Sequence, residues 1–150
     1  MSPALNSQVV SLDEVPRRNM VVLNKKPVIL VVDDERVIAD TLAIILSKSG
    51  FETFTAYNGE EALELASVAK PQLLISDVMM PGMTGVELAI ALGELIPSCK
   101  VLLFSGQAAT ADLLREAREL GHDFTTLAKP VHPTDMLRRI SESLATPCVM

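Results

Sequence analysis

The chain has 150 residues, of which 49% are hydrophobic, enough for one domain with a real core and too few for two ordinary ones. A formal charge of -6 and an isoelectric point near 4.9 argue against general affinity for nucleic acid or anionic membrane, since both need a basic surface. Cys99 and Cys148 lie far apart without Cys-x-x-Cys spacing, so neither a zinc knuckle nor a disulfide framework is indicated, and free thiols in a reducing cytoplasm are expected.

Residues 1–26 read as a tail outside the core, with Val21, Val22 and Leu23 available to dock on the domain or a neighbour. Asp13, Glu14 and Pro16 interrupt any secretory apolar region, and no stretch of about 18 apolar residues is present to span a membrane.

From Pro27 the text alternates strand and helix. Val28 to Val32 is a continuous aliphatic run, as expected of a central strand covered on both faces. Val37, Ile38, Leu42, Ile45 and Leu46 then recur at helical spacing, and Gly50 stands where that helix stops. Residues 51–56 form a second strand, Asn58 caps a helix with an acidic first turn, and Pro71 ends it.

Residues 73–76 are the third strand, and Thr84 with Glu87 has capping-box spacing for a helix closed by Pro97. Residues 100–104, a helix over 111–120 stopped by Gly121, a strand over 124–128 and a last helix over 133–144 complete five βα units. Right-handed crossovers give a flavodoxin-like, doubly wound, five-stranded parallel sheet of order 2-1-3-4-5 with five helices. An eight-unit barrel needs about 250 residues and is excluded. The expected organisation is tail 1–26, domain 27–144 and tail 145–150, with no output domain attached.

A parallel sheet gathers its strand C-termini along one edge, where ligands bind. Asp33 and Asp34 follow the first strand, Asp77 the third, Ser105 the fourth and Lys129 the fifth. Three carboxylates placed together repel one another unless a cation bridges them, and magnesium suits hard oxygen ligands. Gly106 leaves the approach to this pocket open, and the Lys129-Pro130 pair is a place where a cis bond could aim the ammonium inward. Acidic residues also cap helices and solubilise loops, a reading that suffices for one Asp and weakens for three at strand ends.

The stretches VILVVDDE, LLISDVMMPGMTGVEL, VLLFSGQ and LAKPVHP, with Asp34, Asp77, Ser105 and Lys129 successively 43, 28 and 24 residues apart, resemble the receiver domain of two-component response regulators. The resemblance covers residues 27–144. It implies that Asp77 is the phosphoacceptor, that Asp33, Asp34, Asp77 and the Met79 carbonyl hold Mg2+, and that Ser105 and Lys129 contact the phosphoryl oxygens. The implied donor is a histidine kinase or histidine phosphotransfer protein, with an unidentified downstream protein as receiver of the signal. No enzymatic activity is implied beyond the protein's own phosphorylation and dephosphorylation.

Phosphoryl lifetime in this family depends on the side chains at Met79 and Gln107; Met79 offers no base, and Gln107 either orients a water or bonds within its loop. Signalling receivers usually carry Tyr or Phe three residues before the lysine, where this chain has Thr126. Phe124 is a core residue or a substitute for that ring. Movement of Ser105 with the loop from Gly106 is the remaining candidate switch.

His122 and His132 read as cap or loop residues, because no helical dimerisation motif surrounds them. Arg115, Arg118, Glu119, Arg138 and Arg139 mark the fourth and fifth helices as contact faces, and a homodimer would use these helices or the N-terminal tail.

Three other readings compete with a stand-alone receiver. A phosphate sink or shuttle would accept the group without conformational output. An aspartate-nucleophile phosphohydrolase would carry a second Asp two residues after the nucleophile, where this chain has Met79. A nucleotide-binding module would show a Gly-rich loop after the first strand, and none is present.

Overall fold

In the computed structural model the described residues are 26–106 and 110–145. Residues 1–25, Gln107 and the two that follow it, and 146–150 lie outside them. Five parallel strands, β1 (Val28–Val32), β2 (Glu52–Ala56), β3 (Leu73–Asp77), β4 (Lys100–Ser105) and β5 (Thr125–Ala128), form one sheet in the order β2-β1-β3-β4-β5. The helices between and after them are α1 (Arg36–Lys48), α2 (Gly59–Ala69), α3 (Gly85–Leu95), α4 (Thr110–Glu119) and α5 (Pro133–Ala145).

The aliphatic run of β1 is divided between two cores. Ile29 and Val31 pack with Ala39 and Leu46 of α1 and Met136 and Ile140 of α5. Leu30 and Val32 face the opposite way, toward Ala62 and Ala66 of α2 and Leu88 and Leu92 of α3. Alternate side chains of a strand point to opposite faces, so a strand covered on both sides reads as a near-continuous apolar run. Leu74 and Ile75 of β3 are both fully buried. Truncating either to Ala would cost ~2–5 kcal/mol by lost transfer energy and cavity formation.

The helix starts follow their caps. Asn58 accepts the backbone N–H of Glu61 at 2.8 Å. Thr84 and Glu87 close a reciprocal capping box, with N–H to oxygen distances of 3.1 and 2.9 Å. Gly50 and Gly121, at φ 100° and 95°, turn the chain after α1 and α4.

Several boundaries differ from the sequence reading, each by one residue. β2 begins at Glu52, whose N–H donates to Pro27 at 2.9 Å, while Phe51 packs beneath the sheet. β5 begins at Thr125, and Phe124 just before it stacks on His122 with centroids 6.0 Å apart. β3 and β4 each run one residue further, to Asp77 and Ser105, and α4 is displaced one residue toward the N-terminus. Val37 fits the helical spacing of α1 yet is 78% exposed; Ala39 takes the buried position beside it.

No helix among the described residues is long and apolar enough to cross a membrane.

Candidate functional site

The ladder register brings the strand ends level. Val32 pairs with Ser76, Asp77 with Phe104, and Ser105 with Ala128, so Asp33, Asp77, Ser105 and Lys129 all emerge at one edge. Asp33 is 1% exposed, and its Oδ1 accepts the Glu35 N–H at 2.9 Å in a local side-chain turn. Its Oδ2 has no hydrogen-bond partner among the described residues.

Asp77 Oδ1 accepts the Met79 N–H at 3.3 Å, and its Oδ2 accepts from Lys129 Nζ at 2.8 Å. The same ammonium lies 3.9 Å from Asp33 Oδ2. Asp34 is exposed at the rim, and one oxygen each from Asp33, Asp34 and Asp77 lies within 4.8 Å of the others. The Lys129–Pro130 bond is cis.

The charges of this cluster are unequal in their comfort. Burial raises the Asp33 pKa, the Glu35 amide and Lys129 oppose that rise, and the charges of Asp77 and Asp34 add to it. Burial alone would lower the Lys129 pKa, but the hydrogen bond and charge of Asp77, with the charges of Asp33 and Glu35, carry it above the ordinary value. Lys129 is thus held as ammonium. A buried carboxylate oxygen without a donor, beside two further carboxylates, fits a hard divalent cation with oxygen ligands.

These groups border an open pocket of about 410 Å³ lined by Asp34, Glu35, Asp77, Met79, Gly106 and Lys129. A Cβ at Gly106 would stand 3.1 Å from Lys129 Cβ, so the missing side chain makes room for the lysine stem as well as for the pocket mouth. Pro130 borders a different, apolar pocket with Ile38, Leu42 and Val131. Thr126 is half-buried in β5 opposite Leu103. His132 Nδ1 accepts the Thr134 N–H at 3.1 Å, the cap role read from the sequence.

Ser105 reaches the right edge but directs its hydroxyl to the hydroxyl of Thr110, with which it is hydrogen-bonded. Thr110 is 1% exposed and opens α4. The sequence reading singled out neither Thr110 nor the pocket-lining Glu35. Glu35 had a signal, the third acid in the run Asp33-Asp34-Glu35; Thr110 had none, because its partner is set by where α4 starts.

A doubly wound sheet with a strand-end Asp bonded to a lysine, beside a pair of acids on the neighbouring strand, defines a class of phosphoryl-accepting α/β domains. The model of the response regulator receiver domain matches residues 29–141, and the chain belongs to that family. It is 36% identical over 122 residues to the alkaline phosphatase synthesis transcriptional regulatory protein PhoP of Bacillus subtilis, covering 81% of this chain and 49% of that protein. The chain thus spans about half the length of that relative.

With sporulation initiation phosphotransferase F of the same organism, identity is 33% over 108 residues, covering 72% of this chain and 84% of that one. Among solved structures, the CheY-like response regulator receiver domain protein of Methanospirillum hungatei superposes with a TM-score of 0.72 at 31% identity, covering 80% and 94% of the two chains. This chain is therefore a receiver domain of the two-component type, whose common chemistry is acceptance of a phosphoryl group.

Proposed function

We propose that Asp77 accepts a phosphoryl group from a histidine kinase or histidine phosphotransfer protein, and that the phosphorylated chain signals by protein–protein contact. The observation that carries this reading is the 2.8 Å bond between Lys129 Nζ and Asp77 Oδ2 beside the unpartnered Asp33 Oδ2. An Asp77 oxygen bonds to phosphorus as the phosphorus–nitrogen bond of the donor histidine breaks, and that nitrogen keeps the electron pair. Lys129 orients the carboxylate and offsets the charge gathered on the transferring oxygens, since positioning and electrostatics dominate phosphoryl transfer.

Asp33, Asp34, Asp77 and the Met79 carbonyl would hold magnesium, which when bound supplies further positive charge for the phosphoryl oxygens. Water later cleaves the acyl phosphate to restore the carboxylate. The protein acts on no substrate but its own aspartate. Action without an attached output domain has the support of the short phosphotransferase F relative, matched over 84% of its length; PhoP, whose name is that of a transcriptional regulator, supports a receiver joined to an output.

A phosphate shuttle differs only in what the adduct does to partners. A phosphohydrolase is disfavoured, because the pocket wall carries Met79 where the acid would stand. The test is incubation with magnesium and acetyl phosphate, followed by intact mass. One acid-stable, base-labile phosphoryl adduct on the parent chain, lost with chelator and in Asp77→Asn, is expected. Absence of an adduct on folded parent protein overturns the reading, and steady turnover of a free phosphate ester replaces it with the hydrolase.

A further inference from the structure

Three polar side chains are buried among the described residues: Asp33, Ser76 and Thr110. Asp33 belongs to the acidic cluster, and Ser76 donates to the Asp77 carbonyl at 2.9 Å. Thr110 has no place in the chemistry proposed above, yet its hydroxyl meets that of Ser105, the residue whose hydroxyl is assigned to the phosphoryl oxygens. It is also the first residue of α4. The bland reading is a buried hydroxyl satisfied by a convenient neighbour.

A hydroxyl has one hydrogen to give and two lone pairs to receive with. If Ser105 gives its hydrogen to Thr110, none remains for a phosphoryl oxygen. If Thr110 is the donor, the Ser105 hydrogen is released toward Asp77. We propose that Thr110 is a positioning residue that holds the Ser105 hydroxyl in reserve. Phosphorylation of Asp77 then reverses or breaks the Ser105–Thr110 bond, and the first turn of α4 registers the modification through it.

This route reaches α4 without an aromatic ring at position 126, where the chain has Thr126. The inference rests on Asp77 being phosphorylated, and the test separates the two.

Thr110→Val removes the hydroxyl at nearly constant volume, and Thr110→Ser keeps it. Acetyl phosphate labelling is expected to quicken about five-fold in Thr110→Val, the factor carried by one net hydrogen bond of ordinary strength. It returns to the parent rate in Thr110→Ser. In a Ser105→Ala background the same Thr110→Val change has no effect, which a merely structural role would not produce.

Beryllofluoride with magnesium, a stable mimic of the phosphoryl group, is expected to shift the backbone amides of the first turn of α4 in the parent and Thr110→Ser, and not in Thr110→Val. Parent-like labelling and shifts in Thr110→Val overturn the inference and leave the phosphoacceptor assignment standing. An equal effect of Thr110→Val with and without Ser105 also overturns it. A parent protein that takes no label removes the assignment of Asp77 itself, and this inference with it.

Discussion

Gly85 lies directly against the backbone of Asp77: a Cβ at position 85 would come 2.1 Å from the Asp77 carbonyl oxygen and 2.9 Å from its carbon. The first turn of α3 is thereby seated on the end of β3, and the Gly85 N–H completes the junction by donating to Val78 at 2.8 Å. Backbone cannot yield as a flexible side chain does. Gly85→Ala is therefore expected to lower stability by ~3 kcal/mol, the upper end of the range for overpacking. Urea titration would measure this, and the surviving folded fraction should label slowly at Asp77 because its carbonyl has been displaced.

Asp33→Asn should have the opposite sign on stability. The folded pKa of Asp33 is raised above the ordinary 3.8 by burial, so this group favours folding fully below its unfolded pKa and loses that contribution as pH rises through the folded value. Above the folded value the metal-free protein must hold an ionised, buried carboxylate, and the Asn variant does not. A higher urea midpoint for Asp33→Asn at pH 7, with the gain shrinking toward pH 4, is the expected result.

Magnesium should offset the same penalty in the parent. A ligand that binds only the folded state at a hundred times its dissociation constant stabilises by about 2.7 kcal/mol. Thermal unfolding with and without saturating magnesium should show a rise in the parent that is largely absent in Asp33→Asn.

Lys129 places a second cation within reach of the same carboxylates, 2.8 Å from Asp77 and 3.9 Å from Asp33. Removing it in Lys129→Met takes away a competitor for the metal and a clamp for the phosphoryl group at once. Magnesium affinity, followed by calorimetry, is expected to tighten by roughly five-fold, as about 1 kcal/mol of Coulomb repulsion in a solvated site would give. Labelling at Asp77 should slow in the same variant.

Cys99 offers a check on burial away from the pocket. Burial pushes its thiol up to about 12. Thiolate is the reactive form, so alkylation of Cys99 by iodoacetamide at pH 8 should be on the order of a thousand-fold slower in the folded protein than in urea. Peptide mapping separates it from Cys148.

Much of this was legible in the sequence for a physical reason. Doubly covered strands are predominantly apolar, so the runs ending at Asp33, Asp77, Ser105 and Lys129 stand out against the helices, and their order fixes which edge they share. Caps such as Asn58 and Thr84 are local and were equally readable. What the sequence did not carry is which way a side chain turns once it arrives. Ser105 closes its strand as expected but bonds to Thr110, a pairing made by the packing of α4.

Likewise Val37 fits the helical spacing of α1 but faces solvent, while Ala39 takes a fully buried position on the same helix. Phe124 reads as core before it reads as a displaced signalling ring; it lies stacked on His122 and packed against the cluster that Val86 of α3 and Ala117 of α4 form with Val78 and Leu103.

The claim on which the account turns is that one aspartate among three neighbouring ones takes the phosphoryl group. Borohydride reduction of the acetyl phosphate-treated protein converts an aspartyl phosphate to homoserine, and peptide sequencing by mass spectrometry then reads its position. Homoserine at position 77 alone, dependent on magnesium, is the predicted result. Homoserine at position 33 or 34, or at none of the three in a folded and magnesium-loaded protein, would contradict it.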